Sequence, residues 1–331
     1  SDKPFFYLLG YVMPHPAFIT PPKYYEHFKD KIPLPSIPDG LIENLPRNYQ
    51  SYRHSTGLRE DEYDNIKKAR EIYYGMVEWI DEQVDTAYYE AVCPVSFSSE
   101  RELKIVYSPL HGTGLTSVYP ILKKLDFDIT LDPETSNLSG AFENVTFNIP
   151  NPEVIESFDR SLPFARQVGA DILISTDPDA DRIGVMINHN GSWQFLTGNE
   201  IGIILTNYAI SKYRSNGRLN RNSVVVKTDV TTSLMQKIAL ENEVKCIGNH
   251  LVGFKYIADE MNKIEKEGKI DDFIFGAEES HGYLTGNYAR DKDAACAAVW
   301  ISEHAAELKK NDKIQLLVKR PNAGFVVIKI G

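Results

Sequence analysis

An α/β fold, built as two consecutive mixed or parallel α/β domains, is predicted by two observations. From Glu102 onward, apolar β-rich runs alternate with helical patterns. The alternation also comes as two similar units of about one hundred residues each, which implies two domains of related architecture. In the first unit Leu103–Tyr107 reads as a strand, followed by a glycine-rich turn and a helix over Ser117–Leu125. Phe127–Leu131 is the next strand, and a helix around Glu153–Val168 leads to the strand Ile172–Ser175. Met186–Asn188 and Trp193–Leu196 then pair as a hairpin across Asn190-Gly191, a favoured two-residue turn. The second unit opens with a helix over Gly198–Tyr213. Strands at Ser223–Lys227, Val244–Ile247 and Phe273–Phe275 alternate with helices at Ser233–Glu241, Gly253–Lys266 and Asp293–Lys309.

Composition changes near residue 85. The first 46 residues hold nine of the 18 prolines, and the first 89 hold 11 of the 18 tyrosines, so this segment differs in kind from the rest of the chain. The stretch 32–40, Ile-Pro-Leu-Pro-Ser-Ile-Pro-Asp-Gly, is an extended surface loop, because proline excludes helix and central strand. A long helix is predicted from about Glu60 to Val84, with Ile66, Ala69, Ile72, Tyr73, Met76 and Ile80 at helical spacing. Pro4–Gly10 reads as a buried strand with nothing before it, an expectation of N-terminal truncation.

A net charge of −10 argues against a nucleic-acid groove or an anionic membrane as partner. Cys93, Cys246 and Cys296 are odd in number and far apart, so neither a disulfide framework nor a zinc site is expected. No signal peptide or bilayer-spanning apolar run is present in these residues, and the reading is of a soluble chain.

The most informative run is 175–185, Ser-Thr-Asp-Pro-Asp-Ala-Asp-Arg-Ile-Gly-Val. Asp177, Asp179 and Asp181 alternate after an apolar strand, so three carboxylates can converge on one point. Their mutual repulsion calls for a hard divalent cation, and the expectation is a Mg²⁺ site. An EF-hand is excluded, since Arg182 and Asn188 stand where that loop needs Gly and Glu. Arg182 is placed to orient a phosphate on the metal, with pairing to Asp181 as the competing account.

Three further loops sit at strand ends, where open α/β sheets bind ligands. In Ser108-Pro-Leu-His-Gly-Thr-Gly114, Gly112 and Gly114 permit close backbone approach, the following helix N-terminus favours an anion, and His111 is a candidate contact. In Gly276-Ala-Glu-Glu-Ser-His-Gly282, Glu278 and Ser280 alternate toward one ligand and suit vicinal sugar hydroxyls, with His281 beside them. In Gly248-Asn-His-Leu-Val-Gly-Phe-Lys255, Lys255 is available to a phosphate; an exposed helix lysine is the plainer alternative.

On these segments, with Ile105–Gly114 and Val252-Gly-Phe-Lys-Tyr-Ile257, residues 85–312 resemble the middle two domains of the α-D-phosphohexomutase family. The resemblance implies Mg²⁺ on Asp177, Asp179 and Asp181, and sugar hydroxyls on Glu278 and Ser280. It implies transfer of phosphate between the C1 and C6 oxygens of a hexose phosphate through a hexose bisphosphate, in the cytoplasm. It assigns a metal-binding domain to 85–199, a sugar-binding domain to 200–312, and leaves 313–331 unassigned. Two family features are missing from the sequence. One is the phosphoserine loop Thr-Ala-Ser-His-Asn-Pro. The other is the clamp Arg-Pro-Ser-Gly-Thr-Glu-Pro, of which Arg320-Pro-Asn-Ala-Gly324 is a faint echo. Without the serine there is no covalent phosphoryl carrier, so no complete mutase cycle is expected from this chain alone.

Residues 1–84 resemble instead a type I sulfatase fragment, on Asp2–Pro16, Pro21-Pro-Lys-Tyr-Tyr25, Ile32-Pro-Leu-Pro35 and Val77–Val84. That resemblance implies a further α/β fragment, a catalytic role for His15, and a periplasmic or extracellular setting. Met13 replaces a lysine common in that family, and the Cys-x-Pro-x-Arg nucleophile segment and the Asp-Asp calcium pair are absent. The combined expectation is a composite chain, or a non-catalytic sugar-phosphate binder.

Overall fold

The computed structural model describes residues 18–36, 38–41, 43–55, 63–189, 191–310, 316–320 and 324–328. The chain divides into two compact units, Ser1–Tyr88 and Tyr89–Gly331. The described part of the first unit contains helices and no strand: α1 (Pro22–Phe28), α2 (Arg47–Ser55) and most of α3 (Tyr63–Val92). The expected strand Pro4–Gly10 lies outside the described residues. Proline at the first position starts α1, where its missing N–H costs nothing. Ion pairs and hydrogen bonds fasten α1 and the turn after it to α3: Lys23 to Glu82 at 3.0 Å, and the Asp30 N–H to the buried Glu71 at 2.9 Å. Residues 33–36 are irregular, as their prolines require. The long helix runs past the expected end at Val84, because no breaker occurs before Pro94.

The second unit holds two sheets of matching topology. The first has the order β2-β1-β3-β4-β5, formed by β1 (Lys104–Ser108), β2 (Asp128–Leu131), β3 (Ile172–Thr176), β4 (Ile183–His189) and β5 (Ser192–Leu196). Its first three strands are parallel, while β4 and β5 are antiparallel. The second sheet, β7-β6-β8-β9, comprises β6 (Val224–Thr228), β7 (Lys245–His250), β8 (Phe273–Ala277) and β9 (Tyr283–Leu284). Again three strands are parallel and the last is antiparallel. In both, an acidic loop joins the third strand to the antiparallel one. Beyond them, β10 (Leu316–Arg320) and β11 (Gly324–Ile328) form an antiparallel pair.

Helices α4 (Val118–Lys124), α5 (Ser161–Gln167), α6 (Gly198–Ser215), α7 (Ser233–Glu241), α8 (Phe254–Lys266) and α9 (Ala294–Lys310) complete the unit. The single helix expected over Glu153–Val168 is instead a 3-10 turn at Ile155–Phe158 followed by the short α5. Pro163 permits α5 to start just before it but forbids helix further upstream, where its ring would meet the carbonyl four residues back. Ser161 Oγ also donates to the buried Asp132 at 2.7 Å, which fixes that start. The inner residues of β1, β3, β6 and β8 are closed to solvent and carry the hydrophobic core of each sheet. A capping box starts α6: Thr197 accepts from the Glu200 N–H, and Glu200 accepts from the Thr197 N–H. Helix α9 is apolar nearly all round, the pattern of a buried helix, and lies within the unit rather than on it.

Candidate functional site

The acidic loop leaves β3 at Thr176 and returns as β4 at Ile183. Asp177, Asp179 and Asp181 each offer a carboxylate oxygen, all within 4.8 Å of one another; Asp177 is buried, Asp181 half-buried and Asp179 exposed. The loop is built around Asp177. Its Oδ1 accepts the backbone N–H groups of Asp181 and Arg182 at 3.1 and 3.0 Å, and its Oδ2 accepts from Arg182 Nε at 2.6 Å. A carboxylate has about four lone-pair sites, so one on Oδ2 is left for a cation. Burial pushes the Asp177 carboxyl up to about 6, against the pull of Arg182 and with help from Asp181. A buried acid with an oxygen lone pair to spare beside two more carboxylates is chemistry that suits a hard divalent ion.

The turn of residues 108–114 packs against the acidic loop. A Cβ on Gly112 would stand 2.3 Å from the Pro178 Cα, and one on Gly114 would strike the Tyr107 hydroxyl. The glycines therefore let the turn press against the acidic loop, with protein, not an anion, as the close neighbour. Thr113 N–H donates to the Pro178 carbonyl at 2.8 Å, and Tyr107 shares a 2.7 Å hydrogen bond with Thr176. His111 is buried, and its Nδ1 bonds the Asn137 carbonyl at 2.9 Å while Nε2 accepts the Asn144 N–H at 3.4 Å. Those partners place the proton on Nδ1 and commit the ring to holding the loop after β2. His111 thus anchors this loop through both ring nitrogens.

Glu278, at the end of β8, is buried, and its Oε1 accepts the Gly253 N–H at 2.8 Å. Burial raises its carboxyl above the usual range, while Gly253 and Lys292 pull it back. Ser280 is half-buried beside it. Glu279 turns the other way and accepts from Thr228 and Thr231 at 2.9 and 3.1 Å. His281 is buried, bonded to the Ile183 carbonyl at 2.9 Å and stacked on Phe195; its imidazole is spent inside the protein, and burial lowers its pKa. Lys255 is exposed on the first turn of α8, its ammonium over the Tyr256 ring. Arg182 is engaged by Asp177 at 2.6 Å and Glu153 at 2.7 Å, with Asp181 farther off at 3.7 Å. His15 lies outside the described residues.

The two acidic loops, about one hundred residues apart in sequence, are stitched together by backbone. Ile183 N–H donates to the His281 carbonyl at 3.1 Å, Arg182 and Gly282 form an antiparallel bridge, and Ala294 N–H donates to the Ala180 carbonyl at 3.1 Å. Lys292 was missed by the sequence reading. Its ammonium sits 2.7 Å from Asp181 and close enough to Glu278 to feel its charge. Burial draws the Lys292 pKa down, but Asp181, Asp291 and Glu278 together lift it above the ordinary value. Its stem crosses Gly282, where a Cβ would lie 2.3 Å from the Lys292 Cδ. The signal in the sequence is slight: an Arg-Asp-Lys-Asp run ahead of a helix, eight residues after that glycine.

Two family models cover most of this second unit: phosphoglucomutase/phosphomannomutase α/β/α domain II over residues 86–191, and domain III over residues 197–321. Over that stretch the chain belongs to the phosphoglucomutase/phosphomannomutase family. The models begin at residue 86, so the sulfatase resemblance of residues 1–84 has no counterpart in them, and the second runs past residue 312 into the tail. A phosphomannomutase of Mycoplasmoides pirum is 33% identical over 244 residues, covering 72% of this chain and 43% of that protein. A phosphoglucomutase of Staphylococcus epidermidis is 36% identical over 217 residues, covering 65% and 38%. The chain thus spans less than half the length of these mutases. In fold it is like a phosphoglucomutase/phosphomannomutase family protein from Burkholderia thailandensis, with a TM-score of 0.55 at 16% identity, covering 77% of this chain and 53% of that one.

Proposed function

We propose that this chain carries the metal-binding and sugar-recognition parts of a phosphohexomutase, an enzyme that moves phosphate between the C1 and C6 oxygens of a hexose. The observation that supports this most is the stitching of the Asp177–Asp181 loop to the Glu278–Gly282 loop, which would bring a cation seat beside a hydroxyl-recognition seat. Asp177, Asp179 and Asp181 would hold Mg²⁺, which when bound supplies compensation for phosphoryl charge. Glu278 and Ser280 recognise vicinal hydroxyls, the carboxylate accepting and the serine able to do either. Lys255, free of any carboxylate among the described residues, offers a point charge to a phosphate. Arg182 and Lys292 hold Asp177 and Asp181 in place through charge-assisted bonds.

The ligand class is a hexose phosphate or hexose bisphosphate. The relatives include both a phosphomannomutase and a phosphoglucomutase, and the hydroxyls that Glu278 and Ser280 would meet are partly shared by the two sugars. The phosphoserine motif is not among these 331 residues, so binding, rather than turnover, tests the reading. Calorimetry should show Mg²⁺ binding, and Mg²⁺-dependent binding of glucose 1,6-bisphosphate, both lost in Asp179→Ala. Glu278→Gln should weaken the bisphosphate about tenfold, the cost of one charge-assisted hydrogen bond, with Mg²⁺ binding kept. Bisphosphate binding indifferent to both substitutions would sink the proposal, as would aryl sulfate hydrolysis lost in His15→Ala.

A further inference from the structure

A cavity opens in the second unit at the far end of α6 from the acidic loops. Gly198 begins α6 beside Glu279, and Tyr213 lies about 22 Å farther along the helix axis at the usual rise per residue. The cavity, open to solvent on one side, has a volume of about 140 Å³, the size that takes a single six-membered ring. Four of its lining residues are aromatic: Phe97, Tyr213, Tyr288 and Trp300. Phe97 stands edge-on to Tyr213, with centroids 5.4 Å apart, and tilted to Trp300 at 5.8 Å. The polar tips of two walls are already used, Trp300 Nε1 donating to the Val95 carbonyl at 2.8 Å and the Tyr288 hydroxyl to Asp293 at 2.7 Å. Thr285 and Asn287 add polar groups to the same lining.

Arg218 is the charged residue of the lining. Its guanidinium lies 4.5 Å from the Tyr213 ring centre and 5.5 Å from that of Phe97, and among the described residues no carboxylate pairs with it. Stacking occupies the flat face of a guanidinium and leaves its in-plane N–H groups to donate. Arg218 is exposed, and in a chain of net charge −10 such a local cation favours an anion. We propose that this cavity binds a small aromatic carboxylate, its ring among Phe97, Tyr213 and Trp300 and its carboxylate in the fork of Arg218. Inorganic phosphate would leave the aromatic walls without a partner, and a nucleotide exceeds the volume.

The test is calorimetry and saturation-transfer NMR with 4-hydroxybenzoate on the whole chain, in EDTA so that the acidic loop holds no metal. A dissociation constant of about 0.1–1 mM is expected, within the efficiency of small ligands. Arg218→Gln should weaken it at least tenfold, and Ala91→Phe, which fills the cavity from its wall, should abolish it. Cyclohexanemethanol, with a ring of similar size and no charge, should bind far more weakly. Circular dichroism checks that each variant is folded. Absence of binding at about 10 mM ligand, or equal affinity in folded Arg218→Gln and Ala91→Phe, would overturn the proposal.

Discussion

At the scale of the residue, Lys292 illustrates how one side chain ties two loops together. Its ammonium pairs with Asp181 at 2.7 Å, so it occupies an oxygen of the triad and opposes a second cation there. Removing it should raise the affinity of the loop for Mg²⁺. At a high effective dielectric the like-charge penalty is worth about 1–2 kcal/mol, so Lys292→Met should tighten Mg²⁺ roughly five- to thirtyfold in calorimetry. Unchanged or weaker binding would mean that the ammonium organises the loop more than it competes with metal. Arg182 differs, since its bond to Asp177 uses an oxygen that keeps one lone pair for the metal.

Helix α9 is the element that decides stability. Glu303 is fully buried and accepts from Ser96 Oγ, from the Phe97 and Ser98 N–H groups at 3.1 and 3.2 Å, and from the Tyr208 hydroxyl at 2.7 Å. Glu303→Ala strips four donors of their acceptor and should cost about 3–5 kcal/mol in urea unfolding. A loss under 1 kcal/mol would contradict this. One residue on, His304 packs on Tyr208 with ring centres 5.3 Å apart, near Glu307 and Lys212. Burial depresses its pKa from 6.5 to about 4, with Glu307 opposing the shift. The folded state therefore binds its proton less readily than the unfolded chain, and stability is full above pH 6.5. It declines as pH falls toward 4, by roughly 3 kcal/mol at most. His304→Phe should flatten that limb of the stability profile; an unaltered slope would place the acid sensitivity elsewhere.

At the scale of the whole molecule, the two sheets of the second unit should behave as one cooperative body. Helix α9, which follows the second sheet, reaches the first through Lys309 and Asp171 at 2.9 Å, and the loop-to-loop backbone bonds cross the same seam. Trp193 lies on the first sheet and Trp300 in α9. Two variants, each keeping one of these residues as the sole tryptophan of the chain and excited selectively, should report coincident denaturant midpoints. Midpoints that separate would make the sheets independent. In the described residues no helix is long and apolar enough to cross a membrane.

Much of this architecture was legible from local pattern. Strand runs such as Ile105-Val-Tyr107 and Ile172-Leu-Ile174, the helix Ser233–Glu241 and the alternating carboxylates of 177–181 depend on neighbours a few residues away, and the chain writes those down directly. The start of α5 was not legible, because it depends on Asp132, nor was β9, whose two residues exist only beside β8. The site divides along the same line. Asp177, Asp179, Asp181, Glu278 and Ser280 could be named from spacing and resemblance. Tertiary structure alone decided that Gly112 serves Pro178, that His111 and His281 face inward, and that Lys292 reaches Asp181. The physical reason is that each of these depends on a partner brought close by packing across the sheets, and such closeness leaves no period in the sequence.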